Sequence, residues 1–277
     1  MRKWFALALF TGAPLLAQQY DLLLDNGRVI DPKNGIDAVR DVAVRDGKIA
    51  AVEPEIDPAR AKTVLDVSGL IVTPGLVDIH THLFHPPNIP DAWAGDNSVD
   101  PDSFGFRTGV TAMADAGSAG WRNFEFFRTT VIDRADTRVF AFINIAGLGM
   151  VSNMVEQGDF NPEEVARLAK KHRDVVVGVK AAHYEKPDWA SVDQAVKAGE
   201  LAGVPVMVDF GYFLPERPYW KLVTERLRPG DITTHVFRGP VPWVDEDGRL
   251  YPYLSEARRR GVLFDVGHGG GSFTWRN

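Results

Sequence analysis

A chain of 277 residues, 45% hydrophobic and 25% charged, holds enough apolar side chain for one sizeable core and a small appendage, which excludes a disordered polymer. A formal charge of −6 leaves no basic footprint and argues against nucleic acid as a partner, so a small molecule is the expected one. With no cysteine, disulfides and thiolate metal sites are excluded, and any metal has to be held by His, Asp, Glu or a modified Lys.

The chain opens with Arg2 and Lys3 ahead of an apolar run over 4–10, and Leu15-Leu16-Ala17 presents a small residue before Gln18. That pattern predicts a signal peptide over 1–17 and an exported, periplasmic or secreted protein. The stretch is shorter than the roughly 20 residues that cross a bilayer, and no later segment reads as transmembrane. Residues 18–69 then form a string of short strand candidates at 20–24, 28–30, 41–45, 48–53 and 63–67. Asn26-Gly27 and Asp46-Gly47 read as two-residue hairpin loops, because Asn, Asp and Gly tolerate the positive φ such turns demand. A small β-sheet domain, sandwich-like, is expected there.

From residue 70 to 277 the pattern changes to apolar runs separated by longer polar or helical stretches, at 71–79, 111–115, 138–145, 175–179, 204–208, 232–234 and 262–266. Helical composition falls at 162–173 and 191–202, with Asn161 and Ser191 as N-cap candidates. This is the pattern of βα units on a parallel sheet buried on both faces, an α/β fold of the (β/α) TIM-type barrel kind. Aromatic Trp93, Phe104 and Phe106 fall in the long loop after His85, and Trp243 and Tyr251 in the segment after His235; such residues either pack a loop down or cover a substrate. Phe124, Phe126 and Phe127 read as helix core.

The runs close on polar residues: His80 and His82, Asp115, Asn144, Lys180, Asp209, His235 and His268. Barrel enzymes carry their chemistry at the carboxyl ends of the strands, so the alignment is itself an argument for a site. His80 and His82 are two apart, on one side of a strand, and can converge on one cation. Lys180 after a buried strand is by burial alone a snorkelling surface residue. Facing the barrel mouth it would instead favour a neutral amine able to take up carbon dioxide, and the carbamate would be a bidentate anion bridging two cations. Asp209 and His235 could serve a second ion, a mixed set suited to zinc, manganese or iron.

The segment Val72-Thr73-Pro74-Gly75-Leu76-Val77-Asp78-Ile79-His80-Thr81-His82, together with Gly178-Val179-Lys180, Thr234-His235 and Asp265-Val266-Gly267-His268-Gly269, resembles the amidohydrolase superfamily, in particular its dihydroorotase-like amidohydrolase and deacetylase branch. The likeness runs from about Tyr20 to the last residue. It implies that His80 and His82 hold the more buried of one or two zinc ions, that a carboxylated Lys180 bridges, that His235 holds the second ion, and that His268 meets the substrate. It also implies a metal-dependent deacetylase-like hydrolase that cleaves a non-peptide amide or ester bond of a small acylated or cyclic substrate. His268, Asn144 and His183 would orient the acyl group or stabilise an oxyanion.

Two features depart from that pattern. The family usually has histidine at the fifth strand end, where this chain has Asp209, a harder and negatively charged donor. Strand ends recur roughly every 31 residues, which puts an eighth strand, with the aspartate that shuttles protons in the family, beyond residue 277. The expectation is an incomplete barrel with an open edge that invites association into a homo-oligomer. Its alternative is a catalytically impaired barrel that only binds a metal or ligand. A serine hydrolase is disfavoured, for Gly271-Ser272 lacks the nucleophile-elbow frame. The run Gly267–Gly271 lacks the Gly-Lys-Ser/Thr of a phosphate loop.

Overall fold

The computed structural model describes residues 18–87, 97–150, 158–269 and 271–275. The segment read as a signal peptide, 1–17, and the aromatic Trp93 lie outside the described residues. The chain divides into two compact units, Met1–Pro74 and Gly75–Asn277.

Among the described residues the first unit holds one mixed sheet: β1 (Tyr20–Asp31), β2 (Ile36–Arg45), β3 (Lys48–Glu53) and β4 (Ala61–Asp66) in the order β3-β2-β1-β4, with β5 (Ile71–Val72) also beside β1. Asp46 (φ 53°) and Gly47 (φ 68°) make the expected hairpin between β2 and β3. Asn26-Gly27 does not. The candidates 20–24 and 28–30 are one strand, and the register against β2 slips between Leu24 and Gly27, where β1 gains a residue over its partner. Asn26 (φ 67°) is the bulge, and its amide is taken by Asp41 Oδ1 at 2.8 Å, while Asp41 Oδ2 accepts from Ile56 N at 2.7 Å. A buried carboxylate on a neighbouring strand thus turns a hairpin dipeptide into a bulge.

The expected run 71–79 is also two elements. Ile71–Val72 pairs with β1, and after Thr73-Pro74-Gly75 the second unit begins with β6 (Leu76–Thr81), five residues later than the boundary read from the sequence. Proline lacks the N–H that would carry a strand through this point.

The second unit is a seven-stranded parallel sheet, β6, β7 (Val110–Gly120), β8 (Arg138–Asn144), β9 (Val176–Ala182), β10 (Val206–Asp209), β11 (Ile232–Thr233) and β12 (Leu263–Phe264), paired in chain order. The sheet curls so far that His80 on β6 reaches Asp265, the residue after β12. This is the expected α/β barrel architecture in seven strands. Among the described residues no strand pairs between β12 and β6. Val179, Val206 and Val208 are buried on the sheet, and Val165, Leu168, Val192, Ala195 and Ala198 from the covering helices pack in the same core.

The helix Pro162–Lys171 starts where read, Asn161 Oδ1 accepting from Glu164 N at 3.0 Å, with acids in its first turn and lysines in its last. The helix Ala190–Ala202 begins one residue early, so Ser191 is buried inside it and does not cap; Asp188 Oδ1 takes Ala190 N at 2.9 Å instead. Phe104 and Phe106 sit not in a loop but on the helix Pro101–Thr108, exposed. The Trp243 ring stacks on Phe237 at 5.3 Å and Tyr251 on Tyr253 at 5.5 Å, so both pack their own segment down. Of the three phenylalanines read as core, Phe124 and Phe127 are fully buried and Phe126 is 46% exposed. No helix among the described residues is long and apolar enough to cross a membrane.

Emptying the Phe124 site removes a ring packed against Phe127 and His172. Phe124→Ala is expected to cost about 3–5 kcal/mol, read as a lower denaturation midpoint in urea.

Candidate active site

The carboxyl ends of the strands surround a cavity of about 550 Å³ lined by His80, His82, Lys180, His183, Asp209, His235, Arg238 and His268 among others. Every metal-ligand candidate read from the sequence is therefore brought to one place. Alternation within a strand sends His80 and His82 the same way, and their rings lie 5.8 Å apart, with His235 4.7 Å from His80. Lys180 is only 1% exposed, so it is no snorkelling surface residue; its Nζ lies 3.5 Å from His80 Nε2 and 3.5 Å from Met207 Sδ.

Glycines make the room. A methyl group on Gly117 (φ 87°) would stand 2.5 Å from Lys180 Cγ, one on Gly211 (φ 60°) 2.7 Å from His183 Cα, and one on Gly267 (φ 52°) 2.7 Å from His235 Nδ1. His183 (φ 52°) and His235 (φ 56°) themselves occupy the left-handed region, a strain of about 1–3 kcal/mol each that gathers at functional sites.

Asp209 is the hub of one side. Its Oδ2 accepts from His183 Nε2 at 2.6 Å and lies 3.2 Å from His235 Nε2, Gly211 N donates to Oδ1 at 3.0 Å, and Arg238 Nη1 stands 4.0 Å away. Burial opposes its charge, but the charge and hydrogen bonds of His183 and His235 outweigh that and hold the carboxyl well below its usual range. On the other side, burial and then the neighbouring Lys180 charge press His80 down to about 4, and the same causes press His82 well below the usual imidazole value. Both imidazoles are neutral at physiological pH, the form that ligates metal.

Each of the three candidate ligand histidines, His80, His82 and His235, has its Nδ1 engaged. His82 Nδ1 meets Ser118 Oγ at 2.9 Å, His80 Nδ1 meets Asp265 Oδ2 at 3.0 Å, and His235 Nδ1 meets the Gly267 carbonyl at 2.6 Å. Such outer partners are the usual setting of ligating imidazoles. The Gly267 carbonyl can only accept, so His235 Nδ1 carries a proton and its Nε2 faces the Asp209 carboxylate, where an unprotonated Nε2 would set two acceptors against each other. Two acceptors 3.2 Å apart call for a proton or a cation between them. The donor set, imidazole nitrogens with a carboxylate, suits a divalent cation. Among the described residues, however, no three His or acidic side chains are already spaced as a metal cage, because these donors face one another directly.

His268 lines the cavity with its ring against Phe273 at 5.3 Å, but it lies beyond the strand end, since β12 stops at Phe264. Asn144, expected to meet substrate, does not line the cavity. Its Nδ2 donates to Gly117 O at 3.1 Å and its Oδ1 accepts from Ala146 N at 2.9 Å, so it braces the glycine that makes room for Lys180. Asp115, another strand-end candidate, is buried inside a longer β7 and spent on the amides of Leu83, Gly117 and Ser118. Burial raises its pKa to about 6 against those donors. Sequence reasoning gave no role to Ser118, Thr234, Arg238 or Asp265; of these, Thr234 and Asp265 stood in the motif segments quoted above, Asp265 inside the last apolar run.

Gly117→Ala is expected to lower the melting temperature more than Gly203→Ala, because Gly203 shares the positive φ (73°) but has open space around it. The difference between the two melts isolates the crowding of Lys180.

No family model matches the chain. It is 33% identical over 242 residues to "Deacetylase Atu3266" of Agrobacterium fabrum, an alignment covering 83% of this chain and 57% of that relative. Among solved structures, it is similar to an adenine deaminase (TM-score 0.79, 28% identical, 93% of this chain and 68% of that one) and to a dihydroorotase (TM-score 0.71, 30% identical, 91% and 67%). The chain thus spans little more than half the length of the deacetylase it matches.

Proposed function

Since this chain belongs to the amidohydrolase superfamily, we propose that it is a metal-dependent hydrolase that cleaves a non-peptide C–N amide bond, or an ester bond, of a small acylated or cyclic substrate. The observation that carries this reading is the meeting of His80, His82, Lys180, Asp209 and His235, from the ends of four strands, on one cavity. The names of the similar proteins, deacetylase, adenine deaminase and dihydroorotase, support C–N hydrolysis as the common chemistry.

His80 and His82 would hold the first of one or two divalent cations, and Asp209 and His235 the second. Zinc suits these donors best. Lys180, carboxylated at Nζ, would add a bidentate anion between the two pairs. The bound cation would supply Lewis acidity, polarising the scissile carbonyl and acidifying water. The protein's own groups do the rest. His268, which lines the cavity, would orient the acyl group and donate to developing negative charge, and His183, held to Asp209 at 2.6 Å, would orient that carboxylate. The basic-apolar pattern of residues 1–17 supports export of this activity.

Metal analysis of the purified protein with a panel of acetylated and cyclic amides tests the proposal. One or two equivalents of metal and chelator-sensitive hydrolysis are expected; a metal-free protein inert toward the whole panel would defeat it. Lys180→Ala is expected to reduce metal content to one equivalent or none and activity by at least about a hundredfold. Unchanged metal content would remove the lysine from the site.

A further inference from the structure

His80 is held by groups from the far end of the sheet. Its Nδ1 lies 3.0 Å from Asp265 Oδ2 and 2.9 Å from Thr234 Oγ1, and Thr234 Oγ1 donates to the same Asp265 oxygen at 2.6 Å. A hydroxyl has one proton to give. Thr234 gives it to Asp265, so toward His80 it offers only a lone pair. An ionised carboxylate offers only lone pairs too. Both neighbours of Nδ1 are acceptors, and Nδ1 must carry the proton. The Nε2 atom then keeps its lone pair on the cavity side, 3.5 Å from Lys180 Nζ.

We infer that Asp265 is the positioning residue that fixes His80 as the Nδ1–H tautomer, with Thr234 orienting the carboxylate. Two residues on, the carbonyl of Gly267 sets the tautomer of His235 at 2.6 Å. One short segment, Asp265 to Gly267, therefore aims two imidazoles at the same cavity. It does so across 185 residues of chain for His80 and 32 for His235. That the aimed Nε2 of His80 then holds a cation rests on the function proposed above.

The test is nitrogen NMR of the histidine rings in the metal-free full chain, with zinc affinity measured separately by chelator competition. In the wild type, His80 is expected as the Nδ1–H form. Asp265→Ala is expected to move it to a mixture rich in the Nε2–H form and to weaken zinc binding by about ten- to a hundredfold. Thr234→Val is expected to keep the tautomer, since the carboxylate remains. The His172 ring, held by Glu125 and Arg128, reports that a variant is folded. Should Asp265→Ala fail to fold, Asp265→Asn decides: its amide oxygen still accepts, so the tautomer persists while zinc binding weakens severalfold with the lost charge. An unchanged His80 tautomer in a folded Asp265→Ala protein would overturn the inference, and so would wild-type zinc affinity in Asp265→Asn. A wild type with His80 locked as expected but with no affinity for zinc would instead defeat the proposed function and leave the tautomer assignment standing.

Discussion

A buried carboxylate has to be surrounded by donors, and in this cavity that constraint falls on Asp209. Its two oxygens gather His183, His235, the Gly211 amide and, at the rim, Arg238. The strand ends of β9, β10 and β11 are thereby tied at one point. Removing the carboxylate would strip the buried His183 of the acceptor it meets at 2.6 Å, and an unmet buried polar group costs more than the lost hydrogen bond itself. Where the sequence departs from the family's usual histidine, the structure has an anion that gathers the polar groups on its side of the pocket. The Gly211 amide and the left-handed backbone of His183 are part of the same arrangement, for neither imidazole nor carboxylate would meet if residue 211 carried a Cβ.

The opposite side is organised by backbone space. Asn144 is buried away from the cavity, yet it holds Gly117, and Gly117 is the absence of side chain that lets Lys180 lie against β7. Asp115 fixes the same turn from the other direction through the Gly117 and Ser118 amides, and Ser118 in turn meets His82. A chain of contacts therefore runs from a buried structural acid to a candidate metal ligand. Polar strand-end residues need not all face the pocket; two of the seven runs close on residues that brace those which do.

How much of this was legible in the sequence follows from how local each signal is. The His-x-His pair needs only the period of two along a strand, and Asp46-Gly47 only the φ preference of its own residues, so both read correctly. The barrel architecture was legible for a similar reason, since seven apolar runs spaced by helical stretches admit few other folds. Asn26-Gly27 has the same local preference as Asp46-Gly47 and became a bulge because Asp41, on another strand, takes the Asn26 amide. Ser191 had the chemistry of a cap, but the helix starts one residue before it, and Asp188 takes the Ala190 amide instead. The pairing of Asp265 with His80 has no local signal of any kind. Its two halves are 185 residues apart, and only the curl of the sheet brings them together.

That curl has an energetic consequence for the site. β6 and β12 stand at opposite ends of the pairing order, and their strand bodies carry exposed apolar side chains, Leu76 at 56% and Leu263 at 53%. Their carboxyl tips are joined all the same, through the His80, Thr234 and Asp265 hydrogen bonds. Each such bond is worth only about 0.5–1.5 kcal/mol net, or up to about 3 where a charge takes part, whereas a well-packed core side chain contributes about 1.5–3 kcal/mol by burial. The tips of β6 and β12 are thus joined by groups that also shape the pocket, and a cation drawing on His80 would bear on the same junction.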